Sequence, residues 1–406
     1  MAGALSGIRV LDLSRVLAGP WSTQILADLG AEVIKIERPG VGDETRAWGP
    51  PYQKDDDGLE TTESAYYLCA NRNKKSVTLD IASRQAGDIL RQLASQCDVL
   101  VENFKVGGLK RYGLDYESVK QIAPRIVYCS ITGFGQTGPY APRPGYDFLI
   151  QAAGGLMSVT GRADGEQGAG PVKAGVAVAD ILTGLYATIG ILAALRSRDQ
   201  TGVGQHIDMS LLDVQVACMA NQATNFFMSG EPPRRLGNGH PNVVPYQDFV
   251  TSDGAIILAI GNDSQFRKFC TVSGHPELGS DPRYAKNTAR LENYPALLVI
   301  LRKIMLERSS LQWIELLSEA GVPCGPINDL AQVFADPQVQ ARELRLDLPH
   351  KFGVASSVAN PIRLSETPVE YRRGPPTLGE HTQEVLQNWL KLSEGQIAEL
   401  RREGVI

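Results

Sequence analysis

The stretch "IRVLDLSRVLAGPWSTQILADLGAEVIKIERP", Ile8 to Pro39, decides the fold class. "IRVLDL" is an apolar run of strand length, and "AEVIKIE" is a second. Between them "WSTQILADLG" has a helical pattern that stops at Gly30, a residue suited to the left-handed turn after a helix. Strand, helix and strand in that order predict a parallel pair with a crossover helix. The pattern repeats outward: "SVTLDI", "CDVLVEN" and "RIVYCSITGFG" are further strands, with "SRQAGDILRQLASQ" and "LDYESVKQIAP" as helices among them. The expected fold is α/β, a parallel sheet with helices on both faces. Arg38 to Thr62 is too irregular to be expected to pack as an element.

Beyond residue 150 the texture changes twice. A third section runs from "YDFLIQAAGGLMSVTG" through a long helix that the glycine-rich turn Thr201 to Gly204 stops. From about Gly230, "EPPRRLGNGHPNVVPYQDF" is rich in Pro, Gly and Asn and marks a boundary. "AIILAIGN" is then a strand, followed by three helical patterns, and a second boundary falls near Ala335. The tail is expected to hold one strand, "NPIRLSETP", and two capped helices.

Composition excludes several classes. The 406 residues carry a net charge of −5, which argues against a nucleic acid or an anionic membrane as main partner. The six cysteines form no CxxC pair and no zinc spacing, so reduced thiols, no metal and a cytoplasmic location are expected. The N-terminus has no secretory pattern. The five histidines fall in no metal or triad arrangement. Glu37 ends the second strand, where a dinucleotide fold places its ribose-binding acid. The turn "SRVLAGPW" lacks GxGxxG, however, and no nicotinamide cofactor is expected.

The chemistry concentrates in "AGVAVADILTGLYATIGILAAL", Ala174 to Leu195, which has one charge, Asp180, in an otherwise uncharged and mainly apolar segment. Its length suits a membrane span, but a lone acidic residue is expensive in lipid and no aromatic belt brackets it. A buried core helix is expected, with Ala179, Gly184 and Ala187 allowing close neighbours. The residues alone leave two roles open for Asp180. It is either a structural carboxylate satisfied by a cation or by amides, or a nucleophile or base in a dry pocket. Arg38, Arg72, Lys74, Lys75, Lys105, Lys110 and Arg111 follow strand ends or flank their loops, and as a set suggest a phosphate-bearing ligand.

These residues resemble the class III CoA-transferases, the family of formyl-CoA transferase and carnitine CoA-transferase. The likeness rests on "VLDLSRVLAGPWSTQILADLGAEVIKIERP", "NRNKKSVTLDI", "VENFKVGGLKRYGLDYE", "GYDFLIQAAGGLMSVTG", "VAVADILTGLYATIGILAALRSRDQTGVGQHIDMSLLD", "GVPCGPIND" and "LGEHTQEVL". It is most similar to the branch that moves CoA between dicarboxylic acids, succinate and glutarate. The resemblance implies a large Rossmann-like domain from 1–229 and 335–406, a smaller α+β domain with linkers from 230–334, and an interlocked homodimer. It places the nucleophile on Asp180 and CoA contacts on Val16, Ala18, Arg38, Asn73, Lys75, Asn103, Phe104 and Arg111. Tyr146 and Asp147 match a pair beside the nucleophile, and Gly237 and Gly239 are candidate oxyanion donors. Acyl-CoA is the substrate, and no permanently bound cofactor is implied. The racemase branch has a histidine where Tyr146 stands, and the oxalate branch a glutamine where Leu17 stands. Arg15, Arg46 and Arg72 are the candidates for the far carboxylate of a dicarboxylic acid.

Overall fold

Ile8 to Pro39 folds as its pattern predicts. In the computed structural model, which describes residues 3–55 and 57–406, strand β1 (Arg9–Asp12) leads through helix α1 (Ala18–Asp28) to β2 (Glu32–Glu37). The helix ends where Gly30, at φ 109°, donates to Ala27 O and Ala31 donates to Leu26 O, closing the last carbonyls. Strands β3 (Lys74–Thr78), β4 (Val99–Glu102), β5 (Val127–Thr132) and β6 (His206–Ser210) complete a six-stranded sheet in the order 3-2-1-4-5-6. Every pairing in it is parallel. This is the doubly wound order whose switch point lies between β1 and β4, where ligands bind beyond the strand ends.

Helices α2 (Arg84–Ala94), α3 (Asp147–Ala153), α4 (Val178–Thr201), α5 (Thr382–Leu390) and α6 (Glu394–Arg402) flank the sheet. Successive strand residues point to opposite faces, which gives the sheet two apolar cores. Leu11, Ile34, Val77 and Leu100 pack with Leu90 and Leu93 of α2 and with Val385 and Ile397 of the C-terminal helices. Val10, Val33, Val99 and Val127 pack with Leu26 of α1 and with Ala187 and Ile191 of α4. The tail of the chain therefore finishes one face of the N-terminal sheet.

Two units cluster by contact. The larger holds Met1–Leu156, Ala174–Met228 and Gln340–Ile406; the second holds Met157–Lys173 and Ser229–Val339. Residues 157–173, which the texture left with the larger domain, group with the second unit. That unit has its own antiparallel sheet, with Ala255–Ala259 between Tyr246–Val250 and Cys324–Pro326. Its core gathers Phe249, Phe266, Phe269, Leu301 and Trp313.

Four local expectations are corrected. Arg38 to Thr62 does contain elements: a 3-10 turn, Glu44–Ala47, and an antiparallel pair, Tyr52–Lys54 with Glu60–Ser64. β6 was not anticipated, because "HIDMS" is short and polar at the sheet edge. Residues 360–368 form no strand; the tail's strands are Arg345–His350 and Gly353–Val358, paired as a hairpin. Five helices, not three, lie between Ala259 and Cys324, because short turns separate them.

Helix α4 is long and apolar enough to cross a membrane, and about half of its most apolar window is buried. It is not buried all round: Leu185, Tyr186 and Ile189 are exposed. Its inner side approaches α1 closely. A Cβ on Gly184 would stand 2.7 Å from Ala18 O, and Ser22 Oγ lies 3.0 Å from Thr188 Oγ1. The small residues of this helix therefore let α1 and α4 touch, which brings Asp180 to the start of α1.

Candidate functional site

The turn after β1 carries a strained residue. Val16 has φ 72°, a conformation that a β-branched residue adopts only when its surroundings hold it. The Asp43 carboxylate accepts the Val16 N–H at 3.2 Å, and Lys35, fully buried, pairs with Asp43 at 2.8 Å. Asn103 clamps the backbone of the preceding residue, Arg15, through both its N–H and its C=O. Its Oδ1 accepts the Arg15 N–H at 3.0 Å, and its Nδ2 donates to Arg15 O at 2.7 Å. Residues following β1 and β4 are thus locked together across the switch point.

This turn leads into α1, whose N-terminus has no side-chain cap and no acid in its first turn. Free amides and the positive end of the helix dipole are left there. They border a cavity of about 170 Å³ lined by Arg15, Val16, Leu17 and Ala18 after β1, and by Asn103, Phe104 and Lys105 after β4. Gly133, Arg143, Gly145 and Tyr146 after β5 form another wall, and Asp180 opens onto the same space. A Cβ on Gly145 would come within 2.5 Å of Gly133 Cα, so only glycine permits this close crossing of two loop segments.

Asp180 is the third residue of α4 and is 9% exposed. No cation pairs with its carboxylate among the described residues. Its peptide, by contrast, is held: Asp147 Oδ1 accepts the Ala179 N–H at 2.8 Å and the Asp180 N–H at 3.4 Å, capping α4 from another helix. Gln151 steadies this cap, donating to Asp147 Oδ2 at 2.6 Å and accepting the Ala174 N–H at 2.9 Å. Burial, and then repulsion from Asp147, push the Asp180 carboxyl up to about 7. A structural carboxylate is usually satisfied by a cation or by amides; this carboxyl instead faces a cavity.

The structure gathers only part of the expected CoA set. Val16, Ala18, Asn103 and Phe104 line the Asp180 cavity with Tyr146. Arg38 lines a neighbouring, largely apolar cavity of about 220 Å³ that shares Arg15, Glu44 and Phe104 with the first. Arg111 lies in a 3-10 turn after β4, Lys110–Tyr112, with its guanidinium 4.5 Å from the Tyr112 ring, outside both linings.

Asn73 and Lys75 lie apart from this set. They stand at the N-terminal edge of the sheet, the end away from Asp180, around a different cavity with Arg9 and Glu32. Lys75 pairs with Glu32 and Glu384 at 2.8 Å each, and Asn73 Nδ2 donates to Asp28 at 2.8 Å. Both are committed to joining the tail to the sheet. Leu79, Asp80 and Ile81, which sequence reasoning placed inside a strand, instead follow the end of β3 and line the Arg38 cavity. A strand ending three residues earlier would have revealed them.

Gly237 and Gly239 are also corrected as free donors. The Gly237 N–H goes to Gly161 O at 3.1 Å and that of Gly239 to Leu236 O at 3.0 Å. Glu37 is saturated by Arg46, Ser76 and Tyr67, which leaves nothing for a ribose. Burial, and then the Asp180 charge, push the Tyr66 phenol up to about 12. Among the described residues no group of three or more His, Cys, Asp and Glu is placed to hold a metal ion.

Residues 5–382 match the family model of CoA-transferase family III. The chain is 51% identical over 383 residues to a succinate–glutarate CoA-transferase of Agrobacterium fabrum, covering 94% of each. It is 44% identical over 403 residues to the human succinyl-CoA:glutarate CoA-transferase, covering 99% of this chain and 90% of that one. Among solved structures, a CAIB/BAIF family protein from Brucella suis matches with a TM-score of 0.84 and 47% identity, over 96% of this chain and all of that one.

Proposed function

The chain belongs to CoA-transferase family III, and on that premise we propose that it moves CoA from succinyl-CoA to a dicarboxylic acid, glutarate, with Asp180 as nucleophile. The observation that carries the proposal is a buried carboxylate with no cation paired to it among the described residues, opening on a cavity at the switch point of the sheet.

The steps follow from the groups present. Asp180 Oδ attacks the thioester carbonyl, and the CoA thiolate leaves, forming an aspartyl–succinyl anhydride. The thiolate then attacks the aspartyl carbonyl, which releases succinate and forms an aspartyl–CoA thioester. Glutarate attacks that carbonyl, expelling the thiolate again and forming the second anhydride. The thiolate finally takes the glutaryl group, and Asp180 is free. Covalent catalysis divides one difficult transfer into easier exchanges. Each exchange passes through a tetrahedral oxyanion, and the uncapped amides at the start of α1 are the donors we assign to it. With the Gly237 and Gly239 amides already bonded, these replace the donors first expected. Tyr146, which is exposed, and Asp147 flank the acyl side. CoA runs from Phe104 toward Arg38, with the Leu79–Ile81 turn beneath it.

The nucleophile is the ionised carboxylate, so kcat/KM rises with pH through about 7, where Asp180 loses its proton. Asp147→Asn removes the neighbouring like charge while keeping an oxygen to accept the Ala179 N–H. The acid limb of the kcat/KM profile is expected to move to lower pH in that variant. An unmoved limb would assign the titration to another group.

We also propose the interlocked homodimer and a cytoplasmic location. Phe148, Leu149, Ile189, Phe227 and Met228 of the larger unit are exposed large apolar side chains, a feature that supports a covering partner. The substrate proposal is tested by measuring CoA transfer from succinyl-CoA to acids of two to six carbons. Glutarate is expected among the best acceptors. A preference for monocarboxylates or carnitine would refute it.

A further inference from the structure

We propose that Arg143 holds the far carboxylate of the dicarboxylic acyl group and so sets the preference for dicarboxylates; this rests on the transferase reading above. A dicarboxylic acid reaching Asp180 must leave its second carboxylate in the same cavity, where it needs a cation. Three arginines were candidates from sequence, and the structure removes two. Arg46 is spent on Glu37 and Glu63, with its Nη2 also donating to Pro376 O at 3.1 Å. Arg72 is spent on Asp28, Ser357 and Val358 O. Arg15 reaches the cavity, but its guanidinium is already paired with Glu44.

Arg143 lines that cavity and is exposed, and no acid pairs with it among the described residues. Its guanidinium stacks 4.0 Å from the Tyr140 ring, which Phe134 braces edge-on at 5.7 Å. A planar cation held on an aromatic platform is arranged in advance to bind a carboxylate through two parallel hydrogen bonds. Its backbone is held as well. The Arg143 N–H donates to Tyr140 O at 2.9 Å, and two residues on, Gly145 is pressed against Gly133. The same segment continues into Tyr146 and Asp147, whose carboxylate holds the Asp180 peptide. Lys105 also lines the cavity, but it directly follows Phe104, the residue shared with the Arg38 cavity, and so belongs to the CoA side.

The test compares glutarate with its monoamide, a near-isostere lacking the second charge, as acceptors from the same succinyl-CoA donor. Wild type is expected to prefer glutarate. Arg143→Gln is expected to lower the glutarate-to-monoamide ratio of kcat/KM by about 10- to 100-fold, mainly through the KM for glutarate. Arg143→Lys restores the charge without the fork, so part of the ratio is expected to return. An unchanged ratio in Arg143→Gln overturns the assignment, as does a collapse seen in Arg15→Gln instead. A wild-type enzyme that transfers CoA with no preference for the diacid refutes the substrate reading before any variant is made.

Discussion

Asp180→Asn is expected to lower CoA transfer by roughly four orders of magnitude or more, the scale on which loss of a covalent nucleophile is felt. Binding of CoA itself is expected to survive, because the Arg38 cavity and the Phe104 loop are untouched. Stability separates this account from a structural role. The Asp180 carboxyl is raised in the folded protein, so its contribution is full below the unfolded value and is lost as pH rises through about 7. Above that pH the folded protein carries a buried, unpaired charge, at a cost on the order of a few kcal/mol. Asparagine abolishes that cost. The variant is therefore expected to be inactive and, at pH 8, at least as resistant to urea as the wild type. A carboxylate kept for structure would show the reverse, an unfolded or weakened variant whose activity falls only as its fold does.

The second large effect lies away from the chemistry. Arg46 is buried against the face of Tyr67, 3.6 Å from the ring centroid, and grips Glu37 through two hydrogen bonds of 2.8 and 2.9 Å. It also reaches Glu63 at 2.8 Å. Both carboxylates are almost wholly buried. Arg46→Met fills most of the volume but leaves two buried acids without their cation. Breaking a buried ion pair from one side typically costs about 3–5 kcal/mol. Urea unfolding at neutral pH is expected to show a loss of that order, smaller at acid pH, where Glu37 and Glu63 take up protons. A variant as stable as wild type would mean that the network contributes no net stability. Because Glu37 also receives the Asp43 N–H at 3.0 Å, and Asp43 holds the Val16 turn, lost activity is expected to accompany the lost stability.

Sequence and structure agree most closely where the pattern is densest. The βαβ unit from Arg9 to Glu37 was legible because strand residues such as Val10 and Leu11 are buried on opposite faces, so apolar residues cluster in each strand although Asp12 and Lys35 interrupt them. β6 was not legible, since an edge strand needs no such run. Asp180 was conspicuous as one charge in an apolar helix, but the chain alone could not say whether a cation met it. Charge also could not tell which end of a strand a residue serves. Lys75 and Arg38 look equivalent in the chain, yet they lie at opposite edges of the sheet. Arg143 gave no signal in sequence, because what sets it apart is the absence of a paired acid among the described residues and the ring of Tyr140 beneath it.

The central claim is that Asp180 becomes acylated. The most direct measurement is to incubate the enzyme with succinyl-CoA, quench with hydroxylamine, digest, and weigh the peptide that contains Asp180. A hydroxamate on Asp180, absent without succinyl-CoA and absent from Asp180→Asn, is the predicted result. Transfer that proceeds with Asp180 unmodified, or with the label on another residue, would contradict the account.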